Sequence, residues 1–455
     1  MTQTTLPAGP LLAYYGDDFT GSTDVMEACV AAGVPTVLFL RTPGPEWVAR
    51  FAHMRCIGLA GTARGHAPAW MREHLPTAFA SLKAFGAPLL HYKVCSTFDS
   101  SPERGSIGQA VDLGVPHMHG RWSPMVVGAP RLRRYQAFGH LFAAMGDAVY
   151  RLDRHPTMSR HPVTPMGESD LRQHLAQQTP RRIGLIDLVT LKAGQGDAAL
   201  AALLADDVPV VMLDVVDEDT LAEAGRLVWE HRGAGLFTAS SSGLEYALAA
   251  HWRRSGALAE APALQAARAV PAIAAISGSC SPMTAAQIAW AADNGFATER
   301  LNVGEVLWPE RRERELARVL ALALAALSAG RSPLIYSAAG PDDPAVTSFA
   351  AVAQAAGLSL PEASARVGEA LAETMRRLVA ASGVRRLAIA GGDSSGAVAS
   401  ALDIAALTVA AQLVPGAPLC RVWSDAPGMD GMEVVLKGGQ MGQADFFGRV
   451  LHGTA

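Results

Sequence analysis

Short apolar runs alternate with helix-patterned stretches along almost the whole chain, and this alternation limits its architecture more than any other feature. In the first half the runs are 11–16, 36–40, 56–60, 89–95, 125–128, 183–187, 208–213 and 235–239. Helical patterns lie between many of them, including 24–32, 168–178 and 218–231. The second half repeats the habit with runs at 272–277, 333–336, 386–390, 407–414, 420–424 and 434–437. A run of four to eight apolar residues followed by helical periodicity reads as a strand feeding a crossover helix. The fold class is therefore α/β, with mostly parallel sheets flanked by helices. The stretch 121–160 fits the alternation poorly. It is rich in Arg, His, Pro and Gly and is expected to hold a hairpin around 140–151.

A chain of 455 residues is too long for one core, so two domains are expected, 1–255 and 271–455. An Ala-rich polar linker, 256–270, joins them and ends at Pro271. An α/β protein in two halves commonly binds ligands in the cleft between them, and the active site is expected there. Half the residues are apolar and 18% are charged, as in a well-buried globular protein. The net charge of −4 and the lack of a basic run argue against nucleic acid or an anionic membrane as partner. The first ten residues carry no Lys or Arg and no long apolar core, unlike a signal peptide. No stretch reaches the roughly 18 apolar residues of a membrane span. The cysteines Cys29, Cys56, Cys95, Cys280 and Cys420 are odd in number, far apart and without a C-x-x-C, which points to reduced thiols in the cytoplasm.

Four constellations could carry chemistry. Residues 386–396 read as an apolar strand, a glycine-rich loop (Gly391, Gly392, Asp393, Ser394, Ser395, Gly396) and then a helical pattern from Ala397. That layout presents free backbone N–H groups to an anion. The loop has neither the spacing of a P-loop nor that of a dinucleotide fingerprint. Ser277, Gly278, Ser279, Cys280 and Ser281 follow another strand, with Ser281 placed to cap the next helix and Pro282 to open it. Lys437, Gly438, Gly439 and Gly442 follow a third. Lys437 is read either as a neutraliser of phosphate charge or as an exposed strand end. Asp445, Phe446 and Phe447 are read as a capped helix packing its phenylalanines, not as a kinase D-F-G.

At the N-terminus the first strand ends in Asp17, Asp18, Phe19, Thr20, Gly21, Ser22, Thr23 and Asp24. In open α/β sheets ligands sit beyond the carboxyl ends of strands. Paired carboxylates there can bind hydroxyls or act as a general base. On an extended backbone only one of Asp17 and Asp18 faces the cleft. The plainer reading makes Asp18 or Thr20 a helix cap and Asp24 a first-turn carboxylate. A further cluster holds Lys93, Ser96, Thr97, Arg104, Gly105 and Ser106. A lysine inside an apolar strand is costly unless its charge is used. Lys93 and Arg104 suit an anionic substrate, while the hydroxyls suit a polyol. The plainer reading is a solvated strand end and a capped helix. No zinc spacing, H-E-x-x-H or G-x-S-x-G is present, and the metal ligands, if any, are not legible.

Taken in order, these clusters resemble the four-carbon acid sugar kinase family. Residues 17–24 match its D-D-x-T-G-x-x-D block, residues 93–97 its K-x-x-S-T, and residues 104–108 its R-G-x-I-G. Residues 277–281 match S-G-S-x-S, residues 391–396 match G-G-[DE]-[TS]-S-G, and residues 436–442 match L-K-x-G-x-x-G. The matches span nearly the whole chain. The resemblance implies a sugar-acid-binding N-terminal domain, a nucleotide-binding C-terminal domain and ATP-dependent phosphorylation of a terminal hydroxyl of a short sugar acid. It implies that Ser279, Gly392 to Ser395 and Gly439 contact ATP; Ser277, Gly278, Ser281, Gly391, Gly396 and Gly438 are expected to complete the cradle, with Mg²⁺ bridging the phosphates. It implies that Asp17, Asp18, Lys93 and Arg104 lie on the acid-sugar side; Asp17 or Asp18 is expected to accept the proton of the attacking hydroxyl, and Lys93, Ser96, Thr97, Arg104 and Gly105 to bind the acid. One departure stands out. Where most members run from S-T almost directly into R-G, this chain inserts Phe98, Asp99, Ser100, Ser101, Pro102 and Glu103. A variant acceptor such as the branched acid 3-oxo-isoapionate is therefore expected beside the four-carbon acids. The expected partners are the sugar acid and ATP, with a homodimer allowed. The rival reading is a two-domain sugar-acid sensor without nucleotide.

Overall fold

The computed structural model describes residues 5–161, 163–261 and 264–454, and the Asp393 side chain lies outside that description. The chain divides into two compact units, Met1–Ala263 and Leu264–Ala455. No helix among the described residues is long and apolar enough to cross a membrane.

In the first unit five parallel strands run in the order Leu236–Ser240, Leu89–Lys93, Leu12–Gly16, Cys56–Ala60, Thr36–Phe39. Every residue of these strands is buried, as expected of strands covered on both faces. Helices Phe19–Ala32, Pro68–Lys83 and Gly243–Arg254 do the covering. Tyr15 stacks on Tyr92 with ring centroids 5.9 Å apart, and Phe79 meets both rings edge-on. A smaller parallel sheet joins Ser123–Met125, Val210–Leu213 and Ile183–Ile186. The stretch that broke the alternation forms a three-stranded antiparallel sheet, Arg134–Ala137, His140–Met145 and Ala148–Arg151, which contains the expected hairpin.

The second unit orders its strands Ala406–Val414, Ala417–Trp423, Glu433–Lys437, Arg386–Ala390, Ala274–Ser277, Pro333–Tyr336, Ala297–Arg300. The first two form an antiparallel hairpin, and the other five are parallel. Ala297–Arg300 was not expected. It is an edge strand of sequence Ala-Thr-Glu-Arg, partly solvated, and a search for apolar runs passes over it. The core gathers Ile273, Ala275, Leu334, Ala388 and Val435 against Phe446 and Phe447. Those phenylalanines lie on helix Phe446–His452 as anticipated, but Asp445 makes no capping bond and pairs instead with Arg449 at 3.0 Å.

Two helix starts correct the expectations. The helix expected from residue 24 begins at Phe19, so Asp24 stands in its second turn and not its first. The helix expected from Ala397 begins at Gly392, so residues 392–396 are helical and only Gly391 remains loop. Glycine and serine weaken an isolated helix, but tertiary packing of this one overrides that local bias.

Candidate active-site clusters

Strand register creates both clusters. In the first unit Gly16 lies opposite Ala60 and Lys93, and Lys93 lies opposite Ser240. Four neighbouring parallel strands thus end at one level, and the segments that follow them share one rim. Asp17 emerges from the first and Arg64 from the segment after the second. The Arg64 guanidinium forks onto Asp17, with Nε donating to Oδ2 at 3.0 Å and Nη2 to Oδ1 at 2.6 Å. Its third nitrogen, Nη1, donates to Asp18 Oδ2 at 2.8 Å. The two carboxylates therefore share one cation, where the extended-strand argument allowed only one to face the site. The reason is that Asp18 is the helix cap. Its Oδ1 accepts from the Gly21 N–H at 2.7 Å, which turns the side chain back over the helix end and under Arg64.

Asp17 is 3% exposed. Burial pushes its carboxyl up to about 6, against the pull of Arg64 and with the push of the neighbouring Asp18 charge. Lys93 is buried beside it, with its ammonium 3.7 Å from Asp24 Oδ2. Burial likewise raises the Asp24 carboxyl, opposed by the Lys93 charge. A carboxylate lifted toward neutrality, backed by fixed positive charge, is suited to accept a proton from a hydroxyl.

Thr97, Asp99 and Ser100 are buried in the turn that follows. Thr97 Oγ1 donates to Asp99 Oδ1 at 2.7 Å and lies 2.9 Å from Cys95 Sγ. Burial pushes the Asp99 carboxyl up, but the Arg64 charge and the bond from Thr97 outweigh it, so the group sits below its ordinary value. Ser96 is half-buried and has no side-chain hydrogen bond among the described residues. Arg104 is exposed, and its backbone closes the turn onto Ser101. The half-buried guanidinium that engages this cluster belongs to Arg64 instead. Gly105 explains the glycine that follows Arg104. Its φ is +59°, and a Cβ there would stand 2.6 Å from the Arg64 carbonyl oxygen. Glycine thus lets the turn pass directly over the Arg64 segment.

In the second unit Ser277, Ala390 and Lys437 lie opposite one another on three adjacent parallel strands. The chain leaves Ala274–Ser277 for the edge strand Ala297–Arg300. It then returns through Pro333–Tyr336 to Arg386–Ala390 on the other side. Such a reversal opens a crevice above the carboxyl ends of the strands. The serine loop and the helix start touch there: a Cβ on Gly278 would lie 2.1 Å from Ser394 Oγ. Ser281 caps helix Pro282–Asp293 through the Thr284 N–H at 3.1 Å and donates to the Gly439 carbonyl at 2.5 Å. Thr284 Oγ1 lies 2.9 Å from the same carbonyl, to which it can donate, and 3.0 Å from Ser279 Oγ. Ser395 is buried and bonds back to the Gly391 carbonyl, which starts the helix, while Gly392 and Gly396 remain half-buried. The free N–H groups of this helix start, with the hydroxyls around them, suit a phosphate.

Lys437 is not an exposed strand end. It is fully buried, and its ammonium donates to Thr284 Oγ1 at 3.1 Å and to the Gly438 and Gly439 carbonyls at 3.0 and 3.3 Å. Burial lowers it to about 8. Its role in the structure is to clamp the glycine loop. No group of three His, Cys, Asp or Glu side chains among the described residues is arranged to hold a metal ion.

Sequence reasoning missed Arg64, although a signal was there. The strand Cys56–Ala60 runs into Gly61, Thr62, Ala63, Arg64 and Gly65, and the rule that ligands lie beyond carboxyl ends covers that segment too. It also missed Arg134, in the stretch without periodic pattern. Its Nη1 donates to the Leu132 carbonyl at 3.0 Å, and its buried Nε has no partner among the described residues.

Comparison with known proteins matches this division. A family model described as a sugar-binding N-terminal domain matches residues 12–248, and one described as a nucleotide-binding C-terminal domain matches residues 274–447. The chain is 63% identical over 450 residues to a 3-oxo-isoapionate kinase of Paraburkholderia graminis, covering 99% of this chain and 96% of that one. It is 32% identical to a 3-oxo-tetronate kinase of Burkholderia multivorans, with 97% of each covered. Among solved structures, a Salmonella typhimurium LT2 protein described provisionally as a tRNA synthase aligns with a TM-score of 0.76 and 28% identity, covering 96% of this chain and 98% of that one. The ordered motifs, the two matched domains and this near full-length similarity lead to one conclusion: the chain belongs to the four-carbon acid sugar kinase family, phosphotransferases that act on a hydroxyl.

Proposed function

We propose that this kinase transfers the γ-phosphoryl group of ATP to a terminal hydroxyl of 3-oxo-isoapionate, a short branched sugar acid. The hydroxyl oxygen forms the new bond to phosphorus as the bond from phosphorus to the β,γ-bridging oxygen breaks. ADP leaves, and the hydroxyl proton passes to Asp17. The single observation that carries the reading is the Asp17 carboxylate, raised to about 6 by burial yet held by a two-point Arg64 fork. A carboxylate offers about four lone-pair positions. Arg64 takes two, which leaves Asp17 able to accept from a hydroxyl. Arg64, itself braced by Asp18, holds it in place, and Lys93 supplies positive charge for the carboxylate of the acid. Thr97 and Ser96 follow the Lys93 strand, and the Arg104–Gly105 turn lies over the Arg64 segment.

On the donor side Ser277 to Ser281, the helix start from Gly391 to Gly396, and Gly438 with Gly439 cradle the nucleotide. In-line phosphoryl transfer leaves the protein little covalent work, so positioning and charge neutralisation supply most of the catalysis. Mg²⁺ enters as part of the ATP substrate. The loop hydroxyls would accept hydrogen bonds from the waters of a phosphate-borne Mg²⁺, which keeps most of those waters and needs few protein ligands. Five free cysteines fit a reducing cytoplasm as the place of reaction.

The test is ADP release, by a coupled assay, over a panel of linear and branched 3-oxo sugar acids with ATP and Mg²⁺. Turnover is expected to be fastest with the branched acid and to fall at least about 100-fold in Asp17→Asn, the scale of a lost general base. No turnover with any acid, or an Asp17→Asn protein with unaltered rate, refutes the proposal.

A further inference from the structure

Phosphoryl transfer as described uses Asp17, Arg64 and Lys93 but leaves one buried carboxylate of the first cluster unused. Asp99 is 7% exposed and lies two residues beyond Thr97. One of its oxygens, Oδ1, accepts from Thr97 Oγ1 at 2.7 Å. The other has no hydrogen bond among the described residues and is not sealed from solvent. A buried carboxylate without a full set of partners is expensive, and a structure that keeps one has a use for it.

The turn around Asp99 is built rigidly. Phe98 adopts a φ of +55°, a strained value for a bulky residue, and is completely buried. Its ring meets His174 edge-on at 6.0 Å. Ser100 Oγ lies 2.9 Å from His174 Nε2 and accepts from Gln178 Nε2 at 2.9 Å. Gln178 Oε1 in turn accepts from the Ile107 N–H at 2.8 Å. Asp99 is thus pinned by Phe98 before it and by Ser100 after it. The positive group that acts most strongly on its charge is Arg64, the same guanidinium that holds Asp17.

Resting on the proposed sugar-acid kinase reading, we infer that Asp99 is a specificity-determining residue whose free carboxylate oxygen accepts a hydrogen bond from the branch hydroxymethyl of the acceptor. A carboxylate can only accept, so it selects a hydroxyl and repels the carboxylate of the acid. The negative charge therefore also orients the substrate, turning its acid end toward Lys93. A linear 3-oxo-tetronate has no branch hydroxyl to offer, and against it the Asp99 oxygen is left unpaired. A site built around a substrate hydroxyl discriminates strongly against an analogue lacking it for this reason.

The experiment compares kcat/KM for the branched and the linear acid in the wild-type protein, Asp99→Asn and Thr97→Val. Wild type is expected to favour the branched acid. In Asp99→Asn the branched-to-linear ratio is expected to fall about 10- to 100-fold, the scale of one hydrogen bond to a charged group. The loss should fall mainly on the branched acid. Thr97→Val frees the fixed oxygen of Asp99 and should lower the ratio in the same direction by less. Equal losses on both acids in Asp99→Asn, with the ratio unchanged, overturn the inference and leave Asp99 a structural residue. A ratio unchanged because neither acid is affected overturns it as well. If Asp99→Asn fails to fold, the Thr97→Val ratio decides alone. A wild type that phosphorylates neither acid refutes the underlying kinase reading and is distinguishable from both results.

Discussion

Replacing Arg64 by Gln should move the acid limb of the activity profile rather than merely lower the rate. In the wild type Asp17 stands at about 6 with Arg64 in place. Its ionisation already costs about 3 kcal/mol more than that of an ordinary carboxylate. The active form is the deprotonated one. kcat/KM should therefore be half-maximal near pH 6, fall about tenfold by about pH 5, and be flat above about pH 7. Arg64→Gln removes both bonds of the fork and the nearest positive charge, so the Asp17 carboxyl must rise further. Each unit of rise is worth about 1.4 kcal/mol. The Arg64 side chain is 25% exposed, which screens its field and limits the change to about one or two units. The acid limb should then move to between about pH 7 and pH 8. At pH 6 the variant should lose about five- to fiftyfold more activity than at pH 9. The assay is initial-rate ADP release from pH 5 to pH 9 under subsaturating acid, with folding checked by thermal denaturation at both ends. A limb that stays near pH 6 under a uniformly lower rate refutes the argument, because Arg64 would then position substrate without governing Asp17. A wild type with no acid limb between pH 5 and pH 7 removes Asp17 as the titrating base.

Two further tests concern the second unit. Lys437 titrates at about 8 in the folded protein and well above that when unfolded, so its burial costs stability while it is charged. The cost eases as pH rises through 8 and returns as pH falls through it. Relative to Lys437→Met, the wild type should gain about 1 kcal/mol between pH 7 and pH 9 in urea denaturation, and no gain would contradict the lowered value. Gly278→Ala places a methyl 2.1 Å from Ser394 Oγ and should force the serine loop from the helix start. Calorimetry should show ATP binding weakened at least about tenfold while sugar-acid binding is retained, a loss on the scale of an overpacking penalty. Equal ATP affinity in the variant would mean that the two loops do not share a ligand.

Much of this protein could be read from its residues in order. Alternating apolar runs located the strands of both units to within a few residues, because a strand buried on both faces must be apolar throughout. The strand 386–390 and the cap at Ser281 were placed as found, since both depend on residues that are neighbours in sequence. Local pattern failed where a neighbour in space decided the outcome. Ala297–Arg300 became a strand because Pro333–Tyr336 offered it a partner, despite its polar composition. Residues 392–396 became helical for tertiary reasons, against their own propensity.

The chemistry divided in the same way. The residue types, their order and their position after strands were properties of the sequence alone, and they sufficed for the family and for the two classes of ligand. The pairing of those groups was decided only in three dimensions. Arg64 reaches Asp17 from 47 positions away because two parallel strands end in register. Lys437, in either reading a group facing ligand or solvent, is turned inward onto the loop it follows. Charge is written residue by residue, but desolvation and the identity of a partner depend on what packs around the group. That is why the sequence could supply the acids and the cations, and only the tertiary structure could say which acid is held, which is lifted toward neutrality, and which, at Asp99, is left with an oxygen to offer.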